Sequence, residues 1–134
     1  MKTAIYEKAG KMTVTDVEKP SIQAKDDVII KVVRACVCGS DLWNYGEHIH
    51  GDTNTGHEAI GIVEEVGEDI TTFVPGDFVI VPFTHGCGHC DACRAGFDGT
   101  CDNHPGYTNW GNNYQSQYIR FHYGNWALVK IPGQ

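Results

Sequence analysis

Positive charge is scarce in this sequence. Ten Lys and Arg stand against 17 Asp and Glu in 134 residues, a formal net charge of −7. No basic block breaks the acidic pattern, which excludes a nucleic-acid binder that works by neutralising phosphates. Long hydrophobic runs are missing as well. No apolar stretch approaches the roughly 18 residues of a membrane-spanning helix. The segment Met1–Glu7 lacks the apolar core of a secretion signal, so the expected setting is the cytoplasm. Cysteine is too sparse, at six residues, for a disulfide-stapled scaffold. In a reducing compartment, clustered cysteines point to metal or catalysis instead. No segment carries sustained helical periodicity, and no internal repeat or low-complexity tract occurs. No dinucleotide-binding Gly-x-Gly-x-x-Gly occurs either. Gly86 and Gly88 begin one, but position 91 is Asp and no strand–helix–strand pattern surrounds it.

Glycine and short β-branched runs are what remain. Sixteen Gly imply many tight turns. The spacing predicts strands over Lys2–Glu7 and Met12–Glu18, split by Gly10-Lys11 in hairpin fashion. The run from Val28 to Val37 is apolar on both faces and reads as an interior strand. Ser40 or Asp41 is a candidate cap for a short helix through Trp43 and Tyr45. Ala59–Gly67 reads as a strand in which Gly61 marks a bulge or a close backbone approach. Phe78–Val81 follows the turn Pro75-Gly76-Asp77, and Gln117–Tyr123 and Trp126–Ile131 close the chain as strands. These elements predict a mainly β fold, a partly open antiparallel barrel or sandwich, as a single domain over 1–134.

Residues 84–115 break the pattern. Gly, Cys, His, Asn and Asp replace aliphatics there, and a lobe of that length needs something other than a hydrophobic core to organise it. Cys87-Gly88-His89-Cys90-Asp91-Ala92-Cys93 followed by Cys101 supplies it. Four thiolates suit a closed tetrahedral site, with zinc–sulfur bonds of about 2.3 Å. Gly86 and Gly88 let the backbone curl so that the thiols converge. Four free or disulfide-linked cysteines are the plain alternative. Iron, alone or in a cluster, is a second one, since four sulfurs do not by themselves select the metal.

A second constellation lies earlier. Cys38-Gly39-Ser40-Asp41 ends one predicted strand, and Gly56-His57-Glu58 opens the next. A thiolate, an imidazole and a carboxylate suit a zinc with an open position. Asp41 is placed to hold the second ring N–H of His57, and Ser40 brings a hydroxyl fit to pass a proton. Cys36, two residues before Cys38, reads as an inert core thiol. His48, His50, His85, His104 and His122 read as loop or surface residues. Trp43, Tyr45 and Trp110 are candidates to line an apolar pocket.

Together these motifs resemble the N-terminal catalytic domain of the zinc-containing alcohol dehydrogenases, within the medium-chain dehydrogenase/reductase family. The resemblance runs through Cys38-Gly39-Ser40-Asp41, Gly56-His57-Glu58-Ala59-Ile60-Gly61, Val63-Glu64-Glu65-Val66-Gly67, Pro75-Gly76-Asp77-Phe78-Val79, the four-cysteine lobe and Leu128-Val129-Lys130-Ile131-Pro132. It implies a chaperonin-10-like (GroES-like) β-barrel with a zinc-binding lobe. It also implies that Cys38, His57 and Glu58 form the catalytic zinc site, that Ser40 relays the alcohol proton, and that Cys87, Cys90, Cys93 and Cys101 hold a structural zinc. The implied activity is hydride transfer between a small alcohol or aldehyde and NAD or NADP. Three departures stand out. Trp43 occupies a position where the family often carries a relay histidine. Gln117 stands where a glutamate is common. The nucleotide-binding Rossmann domain, and with it a further zinc ligand, has no counterpart in these residues. The expectation is therefore a domain inactive alone, with self-association through apolar surface near Trp43. A truncated zinc-binding module without catalytic activity is the rival expectation.

Overall fold

A computed structural model describes residues 1–46, 55–103 and 113–133. His48, His50, His104 and Trp110 lie outside the described residues. Strands β1 (Lys2–Lys8) and β2 (Lys11–Asp16) form an antiparallel hairpin, with Lys2 opposite Asp16 and Tyr6 opposite Met12. The second sheet is antiparallel throughout. Its order is β6 (Tyr118–Phe121), β3 (Val28–Ala35), β4 (Ala59–Val66), β5 (Phe78–Val81) and β7 (Val129–Lys130). A single bridge, Thr3 to Ser116, joins the two sheets among the described residues, so the mainly β barrel stays partly open. No helix among these residues is long and apolar enough to cross a membrane.

The apolar run read as interior does lie between two neighbours. Val28, Ile29 and Ile30 are fully buried, and β3 pairs with β6 on one side and β4 on the other. With Val63, Val79, Val81, Ile119 and Phe121 they make the core. Burying each such side chain contributes about 1.5–3 kcal/mol. At Gly61, β4 packs tightly on β3. A Cβ there would lie 2.5 Å from Ile30 Cγ2 and 2.5 Å from the Lys31 carbonyl oxygen. The β3–β4 register shifts between Ile29 and Ile30 and again between Val32 and Arg34. Both features read into Gly61, a bulge and a close approach, occur along this pair.

Two polar knots fasten the ends of the fold. Asp27 is fully buried, and its Oδ2 accepts from the backbone N–H groups of Gln23 (2.9 Å) and Ala24 (2.8 Å) and from Arg120 Nε (2.7 Å). Asn113, buried and in the left-handed region at φ 42°, donates to Thr3 Oγ1 and to the Ala4 carbonyl, and accepts from Thr55 Oγ1 and the Gln115 N–H. It ties the hairpin to the segment that leads into β6.

Four expectations need correction. Trp126–Ile131 is not one strand: a single helical turn, Gly124–Ala127, precedes the two-residue β7. Tyr123, left-handed at φ 58°, turns the chain into it. Cys36 is exposed rather than a core thiol, because β3 ends at Ala35. His85 is buried against Phe121, ring centroids 4.3 Å apart, and burial pushes its pKa down to about 4. Trp43 is 73 % exposed rather than packed in an apolar wall, whereas Tyr45 borders an apolar cavity with Tyr6, Met12, Val37 and Leu42.

Candidate metal centres

The first centre is built at one end of the β3–β4 pair. Cys38 follows β3 and His57-Glu58 precede β4, so antiparallel pairing brings them together; the Cys36 N–H donates to the Glu58 carbonyl at 3.0 Å and prolongs the ladder. Cys38 leads into α1 (Asp41–Gly46), as the Ser40/Asp41 signal predicted. The Cys38 N–H donates to Asp41 Oδ2 at 2.8 Å, an Asx-type closure that sets the turn. Cys38 Sγ, a His57 ring nitrogen and a Glu58 carboxylate oxygen lie within 4.8 Å of one another. Ser40 Oγ is 3.4 Å from Cys38 Sγ and 3.5 Å from His57 Nε2. The other ring nitrogen, Nδ1, faces Asp41 Oδ1 at 3.7 Å. That distance is an electrostatic contact rather than a hydrogen bond. It leaves Nε2 on the side of Cys38 and Ser40. The Phe83 ring covers the imidazole at 4.5 Å between centroids. Beside it opens a cavity of about 340 Å³, lined by Cys36, His57, Glu58, Ile60, Ile80 and Phe83 among others. Glu58 is exposed, and Cys38 and His57 are half-buried, so this centre is open to a ligand.

The second centre is closed. Cys87, Cys93 and Cys101 are buried and Cys90 half-buried, with one sulfur from each within 4.8 Å of the others. Cys90 caps α2 (Asp91–Arg94), accepting from the Cys93 N–H at 3.4 Å. A 3₁₀ turn at Asp98–Thr100 delivers Cys101. Gly86 is required by space: a Cβ there would lie 2.3 Å from Cys93 Sγ. Burial pushes the Cys87 thiol up. N–H donors from His89 (3.4 Å), Asn103 (3.2 Å) and Cys90 (3.3 Å) outweigh it and bring the thiol down to about 6. Burial and the neighbouring sulfurs push Cys93 up to about 12. Four sulfurs this close repel as thiolates unless a cation lies among them, and donors already aimed at Cys87 favour its charged form. The set fits a soft tetrahedral metal such as zinc. His89 stays outside it, with Nδ1 3.2 Å from the Cys87 carbonyl. Asn103 and Asn113 are the polar residues that sequence reasoning missed. Both act across long stretches of chain, and no local motif marks them.

Residues 24–133 match the model of the alcohol dehydrogenase GroES-like domain, and the chain belongs to that family, within the medium-chain dehydrogenases/reductases. It is 37% identical to an uncharacterized zinc-type alcohol dehydrogenase-like protein, AdhB, of Bacillus subtilis, with 98% of this chain and 39% of that protein aligned. Among solved structures, zinc-dependent alcohol dehydrogenase 2 of Streptococcus pneumonia superposes with a TM-score of 0.87 at 33% identity, over 98% of this chain and 39% of the other. The alcohol dehydrogenase TADH of Thermus sp. ATN1 superposes with the same score and identity, over 99% and 40%. The chain therefore spans about 39% of the length of the relatives it matches.

Proposed function

We propose that these residues are the zinc-bearing part of an alcohol dehydrogenase that interconverts small alcohols and their aldehydes or ketones with NAD or NADP. The observation that carries this reading is the convergence of Cys38, His57 and Glu58 around Ser40 Oγ beside an open, largely apolar cavity. Zinc held by Cys38 and His57, with Glu58 adjacent, supplies a Lewis acid that lowers the pKa of a substrate hydroxyl. Ser40 Oγ, the hydroxyl nearest both ligands, takes the proton that the substrate gives up. Trp43 has no group to carry it further, so the proton leaves Ser40 for solvent. Asp41 attracts an N–H on His57 Nδ1 and so reserves Nε2 for the metal, the usual arrangement of a ligand histidine. Phe83 packs at a tilt against the imidazole and limits its freedom to turn. Cys87, Cys90, Cys93 and Cys101 hold a structural zinc. The hydride acceptor, NAD or NADP, is bound by a nucleotide-binding domain outside these 134 residues. Positioning of the two reactants supplies much of the rate, and one of them has no seat here.

The test is a domain complementation. Purified as these 134 residues, the protein shows no alcohol-dependent reduction of NAD or NADP. Fused to the part of the Bacillus subtilis relative that this chain does not cover, it gains that activity, and Cys38→Ser abolishes it. Turnover by the 134 residues alone refutes the division of labour. A fusion indifferent to Cys38→Ser refutes the role of the first centre, and a well-folded fusion without activity favours a zinc-binding module.

A further inference from the structure

A third group of ligand-type side chains shares no residue with the cysteine centres and lies where β3 begins and β6 ends, beside Tyr123, which also packs against the four-cysteine cluster. Asp26 and Asp27 precede β3, and His122 follows β6. One carboxylate oxygen from each Asp and one His122 ring nitrogen lie within 4.8 Å of one another. His122 Nε2 is 2.9 Å from Asp26 Oδ1, and its ring stacks on Tyr123 at 3.8 Å between centroids and 11° between planes, which fixes its orientation. The independent sign is Asp27. It is fully buried, and Gln23, Ala24 and Arg120 all donate to Oδ2, while Oδ1 is buried with no hydrogen-bond partner among the described residues. A buried, unsatisfied carboxylate oxygen is costly, and native folds rarely leave one. Arg120 is committed to Oδ2, so the lone pairs still open on Asp27 are those of Oδ1.

We propose that Asp26, Asp27 and His122 bind a borderline divalent transition cation, of the zinc or nickel kind. Two carboxylate oxygens and one imidazole match that softness, whereas calcium and magnesium favour all-oxygen sites. Two carboxylates against the Arg120 guanidinium leave a formal charge of −1 for the dication. The site therefore binds more weakly than the four thiolates. Entry is open, because the Asp26 and His122 side chains keep 32% and 26% of their exposure. The cation takes the place of the proton shared between His122 and Asp26 and satisfies Asp27 Oδ1. The consequence is a clamp between the start of β3 and the end of β6, built without any residue of the two cysteine centres.

The test uses the chain loaded with two equivalents of zinc, which the two cysteine centres take before the weaker third site, and nickel(II) as the probe. Equilibrium dialysis is expected to give one bound nickel per wild-type chain and none in Asp26→Asn or His122→Gln. Asp27 is left intact because it also anchors Gln23, Ala24 and Arg120. Paramagnetic broadening in the wild-type NMR spectrum is expected to centre on residues 26, 27 and 122, and that map decides even where a variant does not fold. No nickel bound by wild type overturns the proposal. So does equal binding by wild type and both folded variants, or broadening centred on Cys38 or Cys87.

Discussion

Replacing Gly61 by Ala tests what holds the two halves of the first centre in register. Cys38 hangs from β3 and His57 from β4, and Gly61 of β4 leaves no room for a side chain against Ile30 and Lys31 of β3. The new methyl would meet Ile30 Cγ2 at 2.5 Å and the Lys31 carbonyl at 2.5 Å. Ile30 is fully buried and Lys31 offers backbone, so neither neighbour can swing aside as a flexible side chain would. Overpacking of a core costs about 1–3 kcal/mol, and a backbone contact places this case at the upper end. Loss of glycine's unfolded-state freedom returns about 0.4–1 kcal/mol. The expected net loss is roughly 2 kcal/mol, which lowers Tm by about 5–10 °C for a domain of this size. Gly99→Ala is the control, since a Cβ there meets nothing within 4 Å. Thermal unfolding at saturating zinc measures both. The strands must separate to admit the methyl, so zinc affinity at Cys38 and His57 is expected to fall while the four-thiol lobe keeps its metal. A Gly61→Ala protein that melts with the control and keeps both metal sites refutes the reasoning.

The other expected outcomes concern the lobe, the junction and the metals. Cys93→Ser removes a buried sulfur from the closed centre, and structural zinc is worth about 10–16 kcal/mol of apparent binding energy. The lobe of that variant should be cut by protease under conditions where the sheets resist, and a wild-type cleavage map would contradict this. Asn113→Ala removes four hydrogen bonds, two of them to β1, although each partner keeps another, and puts Ala at a left-handed φ of 42°. The expected loss in urea unfolding is about 2–4 kcal/mol, and a loss below about 0.5 kcal/mol would show the knot to be dispensable. Mild chelation is expected to empty the Cys38–His57–Glu58 centre before the four-cysteine one, because a mixed, open ligand set competes less well than four thiolates. X-ray absorption on the partly stripped protein reads the order directly, and sulfur ligation lost first would reverse it.

The sequence showed the strands well where burial is written locally. Val28–Ile30 announced an interior strand because a contiguous apolar run has only one place to go in a sheet. Phe78–Val81 was found with its observed ends. The spacing Cys87, Cys90, Cys93 and Cys101 marked four residues that do converge, because short gaps with glycine allow few other geometries. Cys38 and His57 were brought together on paper by strand ends and by resemblance, and the antiparallel pairing of β3 and β4 does the same in space. What stayed illegible depends on distant partners. Nothing near Trp126 signals that Tyr123 turns left-handed and starts a helical turn. His85 does lie in a loop, but its burial was illegible because Phe121, which covers it, lies far along the chain. Asp27 carries no local sign of burial, and it is fully buried because Arg120 reaches it from β6.

The hairpin is hydrogen-bonded to the rest of the molecule at several points, and one set of these bonds leads to the first centre. Tyr45 donates its hydroxyl to the Gly10 carbonyl at 2.8 Å and accepts the Gly10 N–H on its own carbonyl at 2.7 Å. Tyr6 Oη reaches the Asp41 carbonyl at 3.3 Å. The tip and the flank of β1–β2 thus grip both ends of the six-residue helix whose first residue closes the turn around Cys38. The hairpin acts as a tensioner on that helix: slack at Gly10 is relayed through Tyr45 and Asp41 to a thiol it never touches. Amide exchange that reports opening of β1–β2 would then also report the moments at which the Cys38 turn is free to relax.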